Sequence, residues 1–181
     1  MLIALGSNFK FSLNSHVWFP LLAVILRLIP LTADFSYLIL AGYALFGRQQ
    51  IILALFLLWL FSMLNPEIVP IANNGSFSKY ITILTCFLSI LMRVNFAKID
   101  KITTLSVGLG FFFIVHGYFF SQIREISILK ALNWTIVITT LLLTWNEMNS
   151  SERKSTKNLI TGFLSTIILI SLALFLFSDL G

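Results

Sequence analysis

The chain has 181 residues, of which 58% are hydrophobic, 14% aromatic and only 10% charged, with a net charge of +5 and a mean hydropathy of +0.96. Soluble domains carry about 25% charged residues, and one core of this size cannot hide so many Phe, Leu and Ile side chains. These numbers exclude a soluble enzyme, a nucleic-acid-binding domain and a disordered protein, and they predict a single integral membrane domain over residues 1–181.

The first segment, Met1 to His16, is apolar at its start and reaches Lys10 only late. That order is wrong for a signal peptide, so the segment is expected to stay on the protein at the cytoplasmic side or along the interface. Val17 to Leu64 is broken by Pro20, Pro30 and the cluster Gly47-Arg48-Gln49-Gln50. Proline lacks an amide hydrogen and glycine is a weak helix former, so both sites read as breaks. The preferred reading is three short helices, Val17 to Ile29, Ala33 to Phe46 and Ile51 to Leu64; two longer helices are the alternative. Four further runs approach the roughly 20 apolar residues of a membrane span. They are Tyr80 to Ala97, Ile102 to Phe120, Ile128 to Trp145 and Asn158 to Ser178. The expected architecture is an all-α polytopic transmembrane bundle of about seven helices, with six as the alternative.

Basic residues gather at the ends of these runs, where they orient helices. With the loop Arg93 to Lys101 in the cytoplasm, alternation puts Lys10, Arg48, Arg93, Lys98, Lys101, Arg153, Lys154 and Lys157 on one side. The opposite side receives Lys79, Arg124 and Lys130, and Arg27 falls inside a helix. The bias predicts an N-in, C-out topology. Of the sequons at Asn74 and Asn149, only Asn74 then faces outward. The loop Asn146 to Lys157 reads as a solvated connection.

Ionisable groups within a membrane are costly, so each is a candidate for function. His116, near the outer end of the fifth helix, is a candidate base or proton relay; the alternative is a histidine bonded to a neighbouring helix or facing the interface. Arg27 and Asp34 flank Pro30. Arg27 is a candidate for an anionic head group or a pair with Asp34; the alternative is a snorkelling arginine and an Asp34 helix cap. Arg93 reads as an interface anchor. The segment Ser121 to Lys130, expected to be an outer loop, sets two cations, a carboxylate and two hydroxyls at one membrane face. Arg124 and Lys130 are candidates for neutralising a pyrophosphate. The alternative is a helix capped at Ser127 with charges at the interface.

Cys86, the lone cysteine, lies in an apolar run and reads as a small packing residue. It cannot by itself build a thiolate metal site, and no HExxH, GxSxG, CxxC or Walker pattern occurs. Gly108-Leu-Gly110 reads as helix packing, and Phe111 to Phe113 as lipid-facing or packing surface.

Three segments carry a family likeness: WFPLLAVILRLIPLTADFSYLIL, GRQQIILALFLLWLFSMLNPEIVP and SQIREISILKALNW. From Trp18 onward, the chain resembles the N-terminal membrane half of the O-antigen ligase and polymerase family. The resemblance implies a bacterial inner-membrane glycosyltransferase that moves a saccharide from an undecaprenyl pyrophosphate carrier to an acceptor on the periplasmic side. It implies no metal, nucleotide or other cofactor. Arg124, Lys130 and Arg27 are then the candidate residues for the pyrophosphate of the lipid-linked oligosaccharide. The likeness spans less than half of a usual member, whose key arginines and histidine lie mostly in later helices and a large periplasmic loop. The chain ends at Gly181, so the expectation is a truncated or split member, with a membrane partner supplying the missing helices. A non-catalytic subunit or remnant is the second reading and a small transporter the third.

Overall fold

The computed structural model describes residues 18–63, 76–96 and 99–178. Met1 to His16, Asn74 and Lys98 lie outside them. The described residues form seven α-helices and no strand. These are α1 (Trp18–Leu28), α2 (Ala33–Ala44), α3 (Arg48–Met63), α4 (Ser76–Leu91), α5 (Lys101–Phe120), α6 (Arg124–Glu147) and α7 (Ser150–Ser178). A short 3-10 turn, Pro30–Thr32, separates α1 from α2.

The first stretch is therefore three helices and not two. Pro30 pushes the residue before it out of helical geometry, and Ile29 is extended, with φ −102° and ψ 121°. The second break falls at Leu45 to Gly47, where α2 ends and α3 begins. Asp34 does not cap α2. Thr32 holds the cap position without a side-chain bond, and Asp34 lies in the first turn, where the helix dipole favours a negative charge.

Helix ends differ from the limits of the apolar runs. The expected outer loop Ser121 to Lys130 shrinks to 121–123, because α6 already begins at Arg124 with Ile123 as its cap residue. Ser127 is thus inside the helix and caps nothing. The expected connection Asn146 to Lys157 shrinks to Met148 and Asn149, since α7 starts at Ser150. Apolar composition marks where hydrocarbon would end, whereas a helix continues through polar residues whenever its backbone bonds can.

The bundle is built around α3. Ile51 to Leu55, Leu57, Leu58 and Phe61 are all buried, so this helix is covered on nearly every face. α2 packs against α1, α3 and α4, while α6 closes the bundle against α3 and α4. α2 and α4 run parallel in one register. Thr82 donates to the Tyr37 carbonyl at 2.7 Å, and Ser89 donates to the Ala44 carbonyl at 2.9 Å. Cys86 lies between them, fully buried, among small residues that let the two backbones approach. Two helices stand out from this core. α5 packs chiefly on α6, and α7 leans on α3, where Phe163 meets Phe56 at 6.4 Å between ring centres.

One end of the bundle is tied by polar contacts. Arg48 donates to the Glu147 carbonyl at 2.6 Å and pairs with its carboxylate at 3.4 Å. That carboxylate also accepts from the Asn95 amide at 3.1 Å. Arg93 donates to Ser89 Oγ at 3.1 Å and to the Leu45 carbonyl, and Arg153 donates to the Trp145 carbonyl at 3.0 Å. Arg93 is thus a clasp between α4 and the end of α2.

Asp100 caps α5 at the same end. Its carboxylate accepts from the Thr103 hydroxyl and from the Thr103 amide at 3.1 Å, and Asn146 donates to Thr103 Oγ1 at 3.3 Å. The Thr103 hydroxyl, with smaller help from that amide and from Asn146, holds the Asp100 carboxyl below its usual 3.8. A depressed folded pKa means the cap contributes fully above the usual value and is lost as pH falls through the folded one. We therefore expect the protection of first-turn amides of α5, measured against the intrinsic exchange rate at each pH, to fall as pH drops below the usual carboxylate range. Asp100→Asn should remove that acid dependence; an unchanged acid profile in the variant would refute the assignment.

α5 and α6 are long and apolar enough to cross a membrane, and α1, α3 and Phe77–Leu91 are shorter apolar helices. Only 17% of each of the two long spans is buried within the protein.

Candidate functional site

The site begins with two glycines. α5 and α6 form an antiparallel pair joined by 121–123. A methyl group on Gly110 would overlap the Thr135 side chain, and one on Gly117 would come within 2.9 Å of Ser127 Oγ. Thr135 cannot yield easily, because it is β-branched and its hydroxyl donates to the Ala131 carbonyl at 2.7 Å. Gly110 therefore bears out the packing reading of the Gly108-Leu-Gly110 motif, whereas Gly108 faces open space.

Beside this seam runs a groove of about 430 Å³. Leu109, Phe113 and His116 line it from α5, and Ser127, Lys130, Trp134 and Ile138 line it from α6. Polarity changes along its length. Leu109 and Ile138 lie toward the middle of the helices, while His116, Ser127 and Lys130 lie toward the connecting turn. A shallower groove, lined by Ser121, Gln122, Ile123 and Ile126, continues from there and shares Ser127 and Lys130.

His116 is held by its own helix. Its ring stacks on Phe120 at 5.0 Å and lies 6.0 Å from Phe112. Among the described residues, neither His116 nor Lys130 makes a hydrogen bond or ion pair with the protein, so both are free to meet a ligand. Lys130 supplies a point charge with three donors, and His116 a ring nitrogen able to donate or accept.

The structure brings Lys130 and His116 to one groove and leaves the other two candidate cations elsewhere. Arg124 and Lys130 are six residues apart on one helix, so their side chains diverge by about 120°. Arg124 lies over the Tyr118 ring at 5.9 Å, outside the groove. Arg27 is 1% exposed, with its guanidinium 5.0 Å from the Tyr37 ring and 5.9 Å from the Phe61 ring. It does not snorkel outward, because α2 and α3 close over it. Among the described residues, no three His, Cys, Asp or Glu side chains gather as metal ligands.

Nothing in their residue types marks Trp134 and Ile138 as groove residues, and Phe113, expected at a lipid-facing or packing surface, lines the groove. The signal was present on α6, where Ser127, Lys130, Ala131, Trp134 and Ile138 follow the spacing of one helical face. A polar segment read as a loop hides it, because spacing in a loop carries no direction.

Comparison of the chain with family models, with curated proteins and with solved structures returned no match.

Proposed function

We propose that this chain is a polytopic protein of the bacterial inner membrane, and that its α5–α6 groove holds the isoprenoid end of a lipid-linked saccharide. The observation that carries this reading is the polarity of the groove. An apolar trough leads to a lysine, a serine and a histidine that make no ion pair, which suits a hydrocarbon chain ending in an anionic phosphate. The exposed faces of α5 support the membrane setting. Phe111, Phe112 and Phe119 are each more than half exposed, and water tolerates such a surface poorly. The end bearing Arg48, Arg93, Lys101 and Arg153 then faces the cytoplasm, and the groove turn faces outward.

The resemblance of the sequence to O-antigen ligases and polymerases supplies the reaction class, transfer of a saccharide from its pyrophosphate carrier. In such a step Lys130 stabilises the negative charge that grows on the leaving pyrophosphate, and His116 holds or passes a proton beside it. Arg124 and Arg27 have no contact with the phosphate in this arrangement, and the remaining catalytic groups come from a membrane partner or further helices.

The test is binding by the protein in lipid nanodiscs, read by native mass spectrometry. A short isoprenyl pyrophosphate should be retained over the matching neutral isoprenol, and Lys130→Ala should weaken retention about tenfold, the worth of one charge-assisted contact. Equal retention of the charged and neutral ligands would sink the proposal.

A further inference from the structure

The end of the bundle that holds the Arg48–Glu147 pair carries more cations than the protein itself engages. Arg48 is taken by Glu147, Arg93 by Ser89 and the Leu45 carbonyl, and Arg153 by the Trp145 and Asn146 carbonyls. Lys101 opens α5 at this end, and Lys154 and Lys157 lie in the opening turns of α7, which Arg153 ties to the end of α6. All three lysines are exposed, and among the described residues none of them makes a hydrogen bond or ion pair.

The carboxylates at this end do not balance them. Asp100 accepts from Thr103, Glu147 pairs with Arg48, and Glu152 accepts from the Asn149 amide at 2.9 Å. The other four of the chain's seven Asp and Glu residues belong elsewhere. Asp34 and Glu125 lie in the first turns of α2 and α6, at the opposite end, and Glu67 and Asp179 follow the far ends of α3 and α7 in the chain. Residues 1–17 and 97–98 contain no carboxylate. The surplus charge at this end is therefore positive. It borders an apolar surface on the same helices, where Ile102 and Leu105 of α5 and Leu159 of α7 are exposed beside the lysines. Trp145 is also exposed there, with the Arg153 guanidinium 5.6 Å from its ring centre. Cations and an indole at the rim of an apolar band are the pattern of a surface that meets lipid head groups.

We propose that this end of the bundle binds anionic phospholipids, with Lys101, Lys154 and Lys157 meeting the phosphates of their head groups. Each lysine lays its apolar stem along the neighbouring hydrophobic residues and gives its ammonium to a phosphate oxygen. The acyl chains then cover Ile102, Leu105 and Leu159. A zwitterionic lipid answers this surface only in part, because its own ammonium adds to a positive surplus and each carboxylate here already has a partner. An acidic peptide or a nucleic acid would satisfy the lysines and leave the bordering apolar residues uncovered. The attraction depends on net charge, so a head group with one negative charge is enough. The inference rests on the membrane setting proposed above and is independent of what fills the α5–α6 groove, whose polar mouth lies at the opposite end.

The test uses the full chain in nanodiscs holding equal amounts of phosphatidylglycerol, phosphatidylethanolamine and phosphatidylcholine, with retained lipids counted by native mass spectrometry after detergent release. Wild-type protein should retain phosphatidylglycerol about tenfold over each of the others, and the preference should shrink as salt is raised. The triple variant Lys101→Gln, Lys154→Gln, Lys157→Gln should bring the three lipids to near parity. Lys79→Gln, at the opposite end, should leave most of the preference in place. The wild-type and salt comparisons need no variant, so they stand even if a substitution impairs folding. Equal retention of the three lipids by the wild-type protein would overturn the proposal. So would a preference that survives the triple variant, or one that Lys79→Gln lowers as much as the triple variant does. Separate measurement of nanodisc insertion keeps failure of the membrane reading distinct from failure of the lipid preference.

Discussion

Replacing Gly110 by leucine is expected to separate α5 from α6. The added side chain would enter the space that Thr135 fills, and Thr135 is tied to its own helix through the Ala131 carbonyl. Overpacking of this kind costs about 1–3 kcal/mol when a site can adjust, and here the nearest atoms belong to a stiff side chain. α5 also has little other support, since its main packing partner is α6. The damage should therefore fall on the hairpin and its groove more than on the rest of the bundle. A pair of cysteines placed across the α5–α6 seam would report this as a loss of cross-linking, with helix content kept. Gly108→Leu supplies the control. It lies two residues away on the same helix but faces open space, and it should leave cross-linking unchanged. Equal effects from the two substitutions would mean that α5 is rotated from the arrangement described.

Truncating Leu40 to alanine is the second large effect. Leu40 is fully buried on α2, which packs against α1, α3 and α4, and its loss leaves a void in the core. Such truncations cost about 2–5 kcal/mol in soluble cores, through a transfer part and a cavity part. In the membrane setting proposed above, the unfolded helices would remain in hydrocarbon, so much of the transfer part would disappear while the lost packing persists. We expect about 2 kcal/mol, read as reduced stability in a steric-trapping or detergent-unfolding assay. Phe112→Ala removes a larger side chain from a position that is 58% exposed, and it should change stability by less than about 0.5 kcal/mol. The contrast also tests the setting of α5. In water, trimming an exposed phenylalanine should improve solubility markedly; beside lipid it should not.

Much of the architecture is legible in the chain because proline and glycine act locally. Pro30 pushes Ile29 into an extended conformation, and Gly47 marks the second break, where Arg93 then holds the Leu45 carbonyl. The polar segments are less legible for the opposite reason. Arg124, Glu125, Ser127 and Lys130 all accept helical geometry, so their polarity marks departure from an apolar environment and not the end of a helix. Read as a loop, this segment hides the α6 face that lines the groove.

The candidate site shows the same division. Lys130 and His116 stand out from sequence because charge and imidazole are rare among these apolar runs. Their convergence on one groove, and the exclusion of Arg124 from it, depends on the rotation of α6 against α5. That rotation is set by the Gly110–Thr135 and Gly117–Ser127 contacts, which link two different helices.

Composition and local backbone chemistry thus determine on their own that this protein is helical, where its first helices break and which residues carry charge in an apolar setting. These properties depend on each residue and its immediate neighbours. Only the tertiary structure decides that Arg27 is enclosed by Tyr37 and Phe61, and that Lys130 and His116 share a groove from which Arg124 is excluded. Each of these depends on how whole helices rotate and approach, and steric fit between distant small and large side chains governs that choice.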